Sequence, residues 1–493
     1  MTKSYPVLAL ACTLSFTLRA TTYWVATDGN DSNNGTASNI PFATPQKAFT
    51  AMAAGDTVYV RGGNYVLDAQ LKTSKAGTVA SSCKLWAYPG EKPVFDFSTT
   101  SAGTKAIVVN KDYWHVKGIE VSTATDNGIF VGGSSGANIG FVIIEGCVTH
   151  DCYNDGIRIG STSGSGHDVL ILNCDSYRNY DRGDGNNGDG FSAKEGCSTN
   201  NIFRGCRAWN NSDDGWDFYN NRSNSIVLEN CWAFANGLNL WNASPFNGNG
   251  NGFKLGGNSG AIITKANHVL KNCLAFQNVH KGFDQNSGEG GITLYNCTGY
   301  GNGYENFYFD LTPTGGGLAH HVLKNNISYL GGREEHKLAA DSVQVSNSWQ
   351  GFTVNAADFA SLSTSSATNA RNADFSLPEL PMFRLANGSD LINGGVDIGL
   401  PFNGSAPDLG AYELSTAAPP QGPISFDGAP QFSNGGFNVR VTGLTSHGPV
   451  VLYATSNLTG WTPILTNPAA AGTTQFLDTV TNQPRRFYRA EEK

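Results

Sequence analysis

The sequence has few charged residues and no excess of basic ones. Only 15% of its 493 residues are Asp, Glu, Lys or Arg, and 32 basic side chains against 40 acidic ones give a net charge of −8. A protein that binds nucleic acid usually presents a basic face. The charge balance therefore argues against a nucleic acid partner.

Long apolar runs are also missing, with one exception at the N-terminus. In "MTKSYPVLALACTLSFTLRATTYWV", Lys3 precedes an apolar run from Tyr5 to Leu18, and Ala20 offers a small residue for cleavage. This run is too short to span a membrane and has the pattern of a secretory signal peptide. We therefore predict a signal peptide over residues 1–20, no membrane insertion, and a secreted, extracellular protein, which we expect to be a monomer.

Patterns of long helices are scarce, whereas turn-forming residues are abundant, with 60 Gly and 19 Pro. One phrase recurs six times around a cysteine: "IEGCVTHDC", "ILNCDSYRN", "FRGCRAWNN", "LENCWAFAN", "LKNCLAFQN" and "LYNCTGYGN". The cysteines stand at positions 147, 174, 206, 231, 273 and 297, so the repeat has a base unit of about 25 residues. Self-similarity at this period predicts a solenoid.

The repeat units favour β-structure over helical repeats. They are short, rich in β-branched and aromatic residues, and interrupted by Gly and Asn, so we predict an all-β, right-handed parallel β-helix. Five residues after each cysteine from Cys174 onward stands an asparagine: Asn179, Asn211, Asn236, Asn278 and Asn302. We expect these asparagines to adopt a left-handed backbone conformation and their amides to form a ladder between coils. The cysteines are expected to be small buried hydrophobes, with disulfides between adjacent coils as the alternative.

The two ends of the repeat region predict additional elements. Thr44 can cap a short helix that starts at Pro45, and Phe49 and Met52 would then point inward and plug the open end of the solenoid. The stretch "FRLANGSDLINGGVDIGLPFNGSAPDLGAYEL" predicts a last coil and closing segment. We expect a β-helix domain over residues 21–415, a linker over 416–422, and a small C-terminal β-sandwich-like domain over 423–493.

A second recurring phrase predicts which side chains share one face of the solenoid. It reads "DGIRI", "DGFSA", "DGWDF", "NGFKL", "KGFDQ" and "ENFYF", and the residue after the glycine or its substitute is apolar each time. That residue should point inward and the next one outward, which gives an outward column of Arg158, Ser192, Asp217, Lys254, Asp284 and Tyr308. Neighbouring rungs lie roughly 4.8 Å apart. Asp217 and Lys254 should therefore be neighbours, although 37 residues separate them.

Four aspartates are concentrated beside this column. Asp189, Asp213, Asp214 and Asp217 fall within 29 residues, and Asp189 and Asp214 align one step before the glycine. Carboxylates this close repel each other unless a cation lies between them, and clustered hard oxygen ligands select Ca²⁺. The alternative is that "GDG" and "DDG" are ordinary turns on a solvated surface. The shared register beside a lysine favours a metal site.

These phrases resemble those of the family 9 polysaccharide lyases, the pectate lyase branch built on a parallel β-helix. The resemblance covers about residues 21 to 415 and is clearest between Tyr177 and Leu255. It rests on Asp189 in "GDGF", on three aspartates in "SDDGWD", and on Lys254 in "GNGNGFKLGG". The resemblance implies that Asp189, Asp213, Asp214 and Asp217 bind one Ca²⁺ and that Lys254 is the Brønsted base. The C-terminal segment is not part of the family pattern.

The resemblance also implies a substrate and a reaction, namely β-elimination of polygalacturonate or pectin, an acidic plant polysaccharide. A lysine beside four aspartates should have a raised pKa, so we expect a high-pH optimum. The charge of Ca²⁺ would oppose the effect of the aspartates, so we also expect complete dependence on Ca²⁺. Four further residues are candidates for substrate binding, although surface ion pairs or solvated positions would explain them equally well: Arg158, Lys194, Lys281 and Tyr308.

Three other functions remain open from the sequence. A polygalacturonase-like glycoside hydrolase on the same fold would use paired carboxylates, which "SDDG" offers, but its "GHG" and "RIK" phrases are absent. A lyase acting on another uronic-acid polymer would use the same elimination. A non-catalytic solenoid that only binds polysaccharide would not need a base beside the metal, which Lys254 contradicts.

Overall fold

The computed structural model contains two compact units. The first comprises the described residues up to Phe402 together with Ala406–Glu413, and the second comprises Asn403–Ser405 and the described residues from Leu414 onward. The structure describes residues 20–133, 135–161, 164–222, 224–258, 263–314, 318–414, 425–426, 431–433, 435–445, 449–456, 461–468, 470–480 and 486–492. Apart from Ala20, the predicted signal peptide lies outside these residues, as does the predicted linker.

The first unit is a parallel β-solenoid made of three sheets, as the repeat predicts. The first sheet has twelve strands: Thr22–Val25, Thr57–Val60, Cys83–Ala87, Trp114–Lys117, Asn138–Glu145, Ser165–Leu172, Asn201–Arg204, Ile226–Glu229, Val269–Lys271, Thr293–Tyr295, Val322–Lys324 and Val343–Val345. The second sheet has ten: Gly63–Val66, Pro93–Asp96, Glu120–Ser122, Val148–His150, Asp175–Tyr177, Arg207–Trp209, Trp232–Phe234, Leu274–Phe276, Thr298–Tyr300 and Ile327–Tyr329.

The third sheet, which we call the site sheet, carries the second recurring phrase. Its ten strands are Leu71–Lys72, Ile107–Val109, Ile129–Val131, Ile157–Ile159, Phe191–Ser192, Trp216–Asp217, Phe253–Lys254, Phe283–Asp284, Phe307–Phe309 and His336–Leu338. Each strand pairs in parallel with the equivalent strand of the next coil. The chain passes through all three sheets once per coil, so residues one repeat apart become neighbours.

The interior is a set of stacked columns, which confirms the predicted inward positions. Phe191, Trp216, Phe253, Phe283 and Phe307 are fully buried, and successive rings stack with centroids 4.7–5.0 Å apart. Such ring columns bury a large apolar area per coil and lock the register between coils. The six repeat cysteines are also fully buried, and all nine cysteines among the described residues are free, so the core interpretation is confirmed over the disulfide one.

The asparagine ladder exists, but one part of its prediction is wrong. Asn211 donates its side-chain amide to Asn236 Oδ1, and Asn236 donates to Asn278 Oδ1, each at 2.9 Å. The left-handed conformation belongs instead to the preceding residue of each coil, such as Asn210 (φ 55°) or Gln277 (φ 53°). That residue turns the chain, so the asparagine after it can point inward and bond to the next coil.

The N-terminal helix is as predicted. It spans Pro45–Ala51, Thr44 accepts a hydrogen bond from the Lys47 N–H, and Phe49 and Met52 join the core at the end of the solenoid. The prediction of a last coil over residues 383–414 is wrong, because this segment adds no strand to the three sheets. Its leucines, such as Leu391, instead pack with Ile327. A 3₁₀ turn at Ala356–Asp358 precedes it.

The second unit consists of two small antiparallel sheets. One contains Ser425–Phe426, Gln431–Ser433, Gly436–Thr445 and Ala471–Asp478, and the other contains Val450–Thr455, Thr462–Asn467 and Phe487–Glu492. Both sheets contribute to one apolar cluster that includes Val441, Leu452 and Phe476. In the described part of the chain, no helix has the length and apolar character that a membrane span requires.

Candidate functional site

The site sheet brings together residues that are far apart in sequence. Asp217 pairs in register with Ser192 on one side and with Lys254 on the other, and Lys254 pairs with Asp284. This arrangement confirms the predicted column. The side chains point away from the core, but they are not solvent-exposed, because Asp217 is 3% exposed and Asp284 2% exposed. Sequence alternation alone does not reveal this burial.

A second column runs one step before the glycine of each phrase. Gly156, Gly190 and Gly215 donate their N–H groups to the carbonyls of Asp189, Asp214 and Asn251 respectively, at 2.9–3.0 Å. Asp155, Asp189, Asp214 and Asn251 therefore occupy equivalent positions on four successive coils, and all are buried. Asp155 was not among the residues predicted from the sequence, although the residue before the glycine in "DGIRI" is equivalent to Asp189 in "DGFSA".

Three of the predicted aspartates form a compact group. Asp189, Asp214 and Asp217 each place one carboxylate oxygen so that the three oxygens lie within 4.8 Å of one another. A backbone N–H group holds one oxygen of each carboxylate. The Asp214 N–H donates to Asp189 Oδ1 at 3.0 Å. The Asn251 N–H donates to Asp214 Oδ1 at 2.8 Å, and the Tyr219 N–H donates to Asp217 Oδ1 at 2.7 Å. The other oxygen of each carboxylate faces a lysine: Asp189 Oδ2 faces Lys194, and Asp214 Oδ2 and Asp217 Oδ2 face Lys254.

Asp213 is buried beside this group but is not one of its three members. Its Oδ1 accepts a hydrogen bond from the Asn249 N–H at 2.5 Å. Burial and the neighbouring Asp214 and Asp217 raise the pKa of Asp213 despite the opposing effect of Lys254. Asp213 therefore adds negative potential to the group and fastens the segment that contains Asn249 to it.

Lys254 reaches the group from the adjacent rung. Its Nζ lies 3.0 Å from Asp214 Oδ2 and 3.5 Å from Asp217 Oδ2. Burial lowers the pKa of Lys254, but Asp214 and Asp217 outweigh this effect, and the pKa is raised well above its ordinary value. The Lys254 side chain is 11% exposed, so it is largely shielded from bulk solvent.

Lys194 approaches the same group from the opposite side. Its Nζ lies 2.8 Å from Asp189 Oδ2, 3.1 Å from Asp217 Oδ2 and 3.4 Å from Asp155 Oδ1. Burial opposes its charge, but the three carboxylates raise the pKa of Lys194 well above its ordinary value. The structure places this residue within the acid group, and not on the open face that was predicted from the sequence.

The carboxylates are in an unfavourable electrostatic environment, which suits a cation. Burial raises the pKa of Asp189 and of Asp214, and the charge of Asp217 adds to both increases. Asp217 differs, because Lys194 and Lys254 outweigh burial and lower its pKa. A buried group of three carboxylate oxygens that repel one another fits a hard divalent cation.

The other three candidates for substrate binding have protein partners. Arg158 pairs with Asp155 at 3.2 Å and with Glu195 at 2.6 Å. Lys281 Nζ lies 3.1 Å from Asp284 Oδ2 and 3.8 Å from the centre of the Tyr308 ring. These contacts orient the side chains along the site sheet, and a role in substrate binding remains a prediction.

Comparison with known proteins relates this geometry to a family. The family model described as "Pel9A-like, right handed beta helix region" matches residues 23–326. A protein named pectate lyase L from Dickeya chrysanthemi is 38% identical over 429 residues, covering 84% of this chain and 96% of its own length. A protein named pectate lyase PEL9 from Emericella nidulans is 31% identical over 398 residues, covering 75% of this chain and 93% of its own.

Two solved structures are similar over most of the solenoid. A pectate lyase Pel9A structure matches with a TM-score of 0.70 and 37% identity, covering 80% of this chain and 96% of its own. A structure named rhamnogalacturonan lyase matches with a TM-score of 0.66 and 28% identity, covering 75% and 97%. The family model spans the coils that carry every aspartate of the site and Lys254. This chain therefore belongs to the Pel9A-like right-handed β-helix family.

Proposed function

We propose that this protein is a calcium-dependent pectate lyase that cleaves polygalacturonate by β-elimination. Membership of a family whose curated relatives are named pectate lyase supports a polysaccharide lyase. The observation that carries the specific proposal is the position of the Lys254 amine, 3.0 and 3.5 Å from two members of the three-aspartate group. A potential base and a potential cation site thus share one covered space.

The chemistry of the substrate matches these residues. In galacturonan the C5 proton is α to a carboxylate, so its removal places negative charge on that carboxylate and needs a positive partner. Ca²⁺ held by Asp189, Asp214 and Asp217, with Asp213 beside them, would supply this charge stabilisation when bound. Lys254 Nζ accepts the C5 proton, the electron pair of the C5–H bond forms the C4–C5 double bond, and the C4–oxygen bond breaks. The departing oxygen takes up a proton from solvent to become a hydroxyl, and Lys254 later returns its proton to solvent. The products are a new chain end and a 4,5-unsaturated uronate, and no water is consumed.

The protonation state of Lys254 sets the pH range of this reaction. Only the neutral amine can accept a proton, and the surrounding aspartates raise its pKa. We therefore expect turnover to increase with pH into the alkaline range. The proposal includes export of the enzyme, on the basis of the apolar N-terminal segment after Lys3.

A second specificity has a specific observation in its favour. The solved structure named rhamnogalacturonan lyase is 28% identical and matches most of this chain. Elimination in that polymer would need the same base and cation chemistry, because a uronate is again the reacting sugar. The turns that flank the site sheet would then select the polymer.

The test compares polymers with and without chelation. Purified protein is incubated with polygalacturonate and, separately, with rhamnogalacturonan, and the ultraviolet absorbance of the unsaturated product is followed alongside reducing ends. We expect absorbance and reducing ends to increase together on polygalacturonate, to stop with EDTA, and to return with excess Ca²⁺. Reducing ends without absorbance would instead show a hydrolase, and cleavage of rhamnogalacturonan alone would show the second specificity.

A further inference from the structure

An open groove of about 450 Å³ lies on the turns that lead into the site sheet, away from the three-aspartate group. Four side chains dominate it: Tyr153, Tyr180, Arg182 and Trp241. The rings of Tyr180 and Trp241 stack with centroids 4.6 Å apart and an interplanar angle of 14°. The Arg182 guanidinium lies 3.7 Å from the centre of the Tyr153 ring. The groove thus combines aromatic faces with a cation, and the reaction as proposed above uses none of these residues.

The charge balance of the groove favours an anion. Arg182 is exposed, and among the described residues its guanidinium has the Tyr153 ring as its partner and no carboxylate. Asp151, the acidic residue of the groove, is already paired with Arg178 at 3.1 Å and with His150 at 2.7 Å. The hydrogen-bonding edges of Arg182 therefore remain available, and a planar guanidinium suits a carboxylate in a bidentate arrangement.

The groove is aligned with the site along the solenoid axis. Tyr153 precedes the strand Ile157–Ile159 and Tyr180 precedes Phe191–Ser192, which lie three and two rungs from the Lys254 strand. At roughly 4.8 Å per rung, the distance along the axis is about 10–14 Å. A polymer that lies across Lys254 and follows the sheet edge would therefore pass over the groove within a few sugar units.

One turn links the groove to the site. Trp241 belongs to the turn before the strand Phe253–Lys254. This turn folds back over two coils, so that the Trp241 ring stacks on the Tyr180 ring. Farther along this turn, Asn247 donates its N–H and its side-chain amide to Asp184 at 2.7 and 2.8 Å. Asn249 then donates its N–H to Asp213 beside the aspartate group. The same segment therefore forms part of the groove wall and contacts the site.

We infer that this groove is a distal subsite that binds a uronate unit of the polysaccharide, with Arg182 holding its carboxylate and the Tyr180–Trp241 pair packing against its C–H face. The inference rests on the proposed function for the identity of the polymer. Charged hydrogen bonds contribute more than neutral ones, and aromatic faces bury apolar sugar surface at a low cost in side-chain entropy. We expect this subsite to bind the polymer equally in the ground state and the transition state, and such uniform binding lowers KM without changing kcat.

Chain length is the variable that tests the inference. Arg182→Gln and Trp241→Ala are assayed on oligogalacturonates of about three and about six units, the longer chosen to span the roughly 10–14 Å to the groove. We expect KM for the longer oligomer to rise about 10-fold with kcat unchanged, and no change on the shorter one. Leu240→Ala controls for the exposed turn, and Arg204→Gln, on the first sheet, controls for loss of an exposed arginine. Both controls should behave like the parent protein.

A binding measurement separates this inference from the proposed function. Calorimetric titration of the longer oligomer into Lys254→Ala protein, with and without Arg182→Gln, measures the groove contribution in the absence of turnover. If the oligomer binds through Arg182 but the parent protein never cleaves it, the lyase proposal fails and the subsite stands. If the parent protein cleaves it while Arg182→Gln and Trp241→Ala change neither KM nor affinity at either length, the subsite is overturned. Absence of both binding and cleavage rejects both.

Discussion

At the scale of single residues, the unusual feature is how much charge shares a buried space. Asp189, Asp214 and Asp217 lie between the amines of Lys194 and Lys254. Burying an ion costs several kcal/mol unless partners compensate it, so such a cluster is weak evidence for stability and stronger evidence for function. The two lysines differ in their partners: Lys194 contacts three carboxylates, whereas Lys254 contacts two.

Lys254→Ala tests the proposed base. Loss of a general base lowers kcat by about 10²- to 10⁴-fold, and we expect a reduction in this range at alkaline pH. The measurement is the initial rate of unsaturated product formation with saturating Ca²⁺. Lys271→Ala is the matched control, because Lys271 pairs with Glu229 on the first sheet, away from the site. Retention of most of the activity by Lys254→Ala, with normal folding, would remove this residue from the mechanism.

Lys194→Met tests whether Lys194 compensates the buried acids. Removing one partner of a buried charge pair leaves uncompensated charge and typically costs 3–5 kcal/mol, so we expect a loss of about that size in the free energy of unfolding in EDTA. Excess Ca²⁺ should restore part of the loss, because a cation bound to the native aspartates stabilises the folded state. Urea unfolding with and without Ca²⁺ measures both effects. An unchanged midpoint in EDTA would mean that Lys194 contributes no net compensation.

The sequence predicts the identity of the acidic residues better than their environment. The proximity of Asp189, Asp214, Asp217 and Lys254 follows from the register of one repeated phrase, and Asp213 precedes Asp214 in sequence. The roles assigned to them come from the family resemblance. The burial of Asp217 and Asp284 does not follow, because alternation separates the core side of a strand from the other side but does not show what packs against that other side. Asp155 could have been identified by aligning the "DG" of "DGIRI", one coil earlier, with the "DG" of "DGFSA".

At the scale of secondary structure elements, the ladder of inward asparagines replaces side-chain packing with hydrogen bonds. Asn236 accepts from the backbone and side chain of Asn211 and donates to Asn278 Oδ1 and to the Ala208 carbonyl. The ladder can be predicted from the sequence because each of these asparagines stands five residues after its cysteine. The left-handed position is occupied by Arg178, Asn210, Ala235, Gln277 and Gly301, so no single residue type marks it in the sequence.

Asn236→Ala should strongly destabilise the solenoid. It leaves buried donors of Asn211 without an acceptor, and each unsatisfied buried group costs about 1–3 kcal/mol, so we expect a total loss of roughly 3 kcal/mol or more. Asn230→Gly is the control on the same coil, since Asn230 is exposed at φ 55° and glycine tolerates this conformation, with an expected change below about 1 kcal/mol. Chemical denaturation compares the two variants. Equal effects would show that the ladder has no special role.

His150 should make stability depend on pH. Its ring stacks on Tyr177, and burial lowers its pKa, but hydrogen bonds to Asp151 and Glu120 outweigh burial and raise the pKa to about 9. Since the ordinary pKa is 6.5, the protonated ring stabilises the fold fully below that pH, and this contribution disappears as the pH rises through about 9. We expect up to roughly 3 kcal/mol from this group.

The measurement compares the parent protein with His150→Gln by urea unfolding at several pH values. The difference in free energy of unfolding should be large near the acid end of the 6.5–9 interval and small above it. A difference that stays constant across this interval would show that the ring gains nothing from protonation in the folded protein. Because Asp151 and Glu120 have lowered pKa values, they remain ionised throughout.

At the scale of the whole molecule, the solenoid and the C-terminal unit obtain their cores in different ways. The solenoid buries long columns that run from coil to coil, and its register follows from a repeat visible in the sequence. Residues 383–414 do not follow the repeat. They pack with Ile327 of the solenoid through side chains such as Leu385, Leu391 and Leu409. Their prediction as a last coil therefore failed, because apolar spacing alone does not distinguish a strand from a packed irregular segment.

We propose that the two units fold independently and that the solenoid alone carries the activity. All residues of the candidate site belong to the first unit, and the second has its own apolar cluster around Val441 and Leu452. A chain that ends at residue 415 should therefore keep kcat on polygalacturonate within about twofold of the full chain, and should keep its main unfolding transition.

A chain that ends at residue 382 is the matched control. It loses Leu385, Leu391 and Leu409 from the cluster with Ile327, so we expect its unfolding temperature and its activity to fall together. Loss of activity in the longer chain, with its unfolding transition intact, would instead show that the C-terminal unit takes part in catalysis or substrate binding.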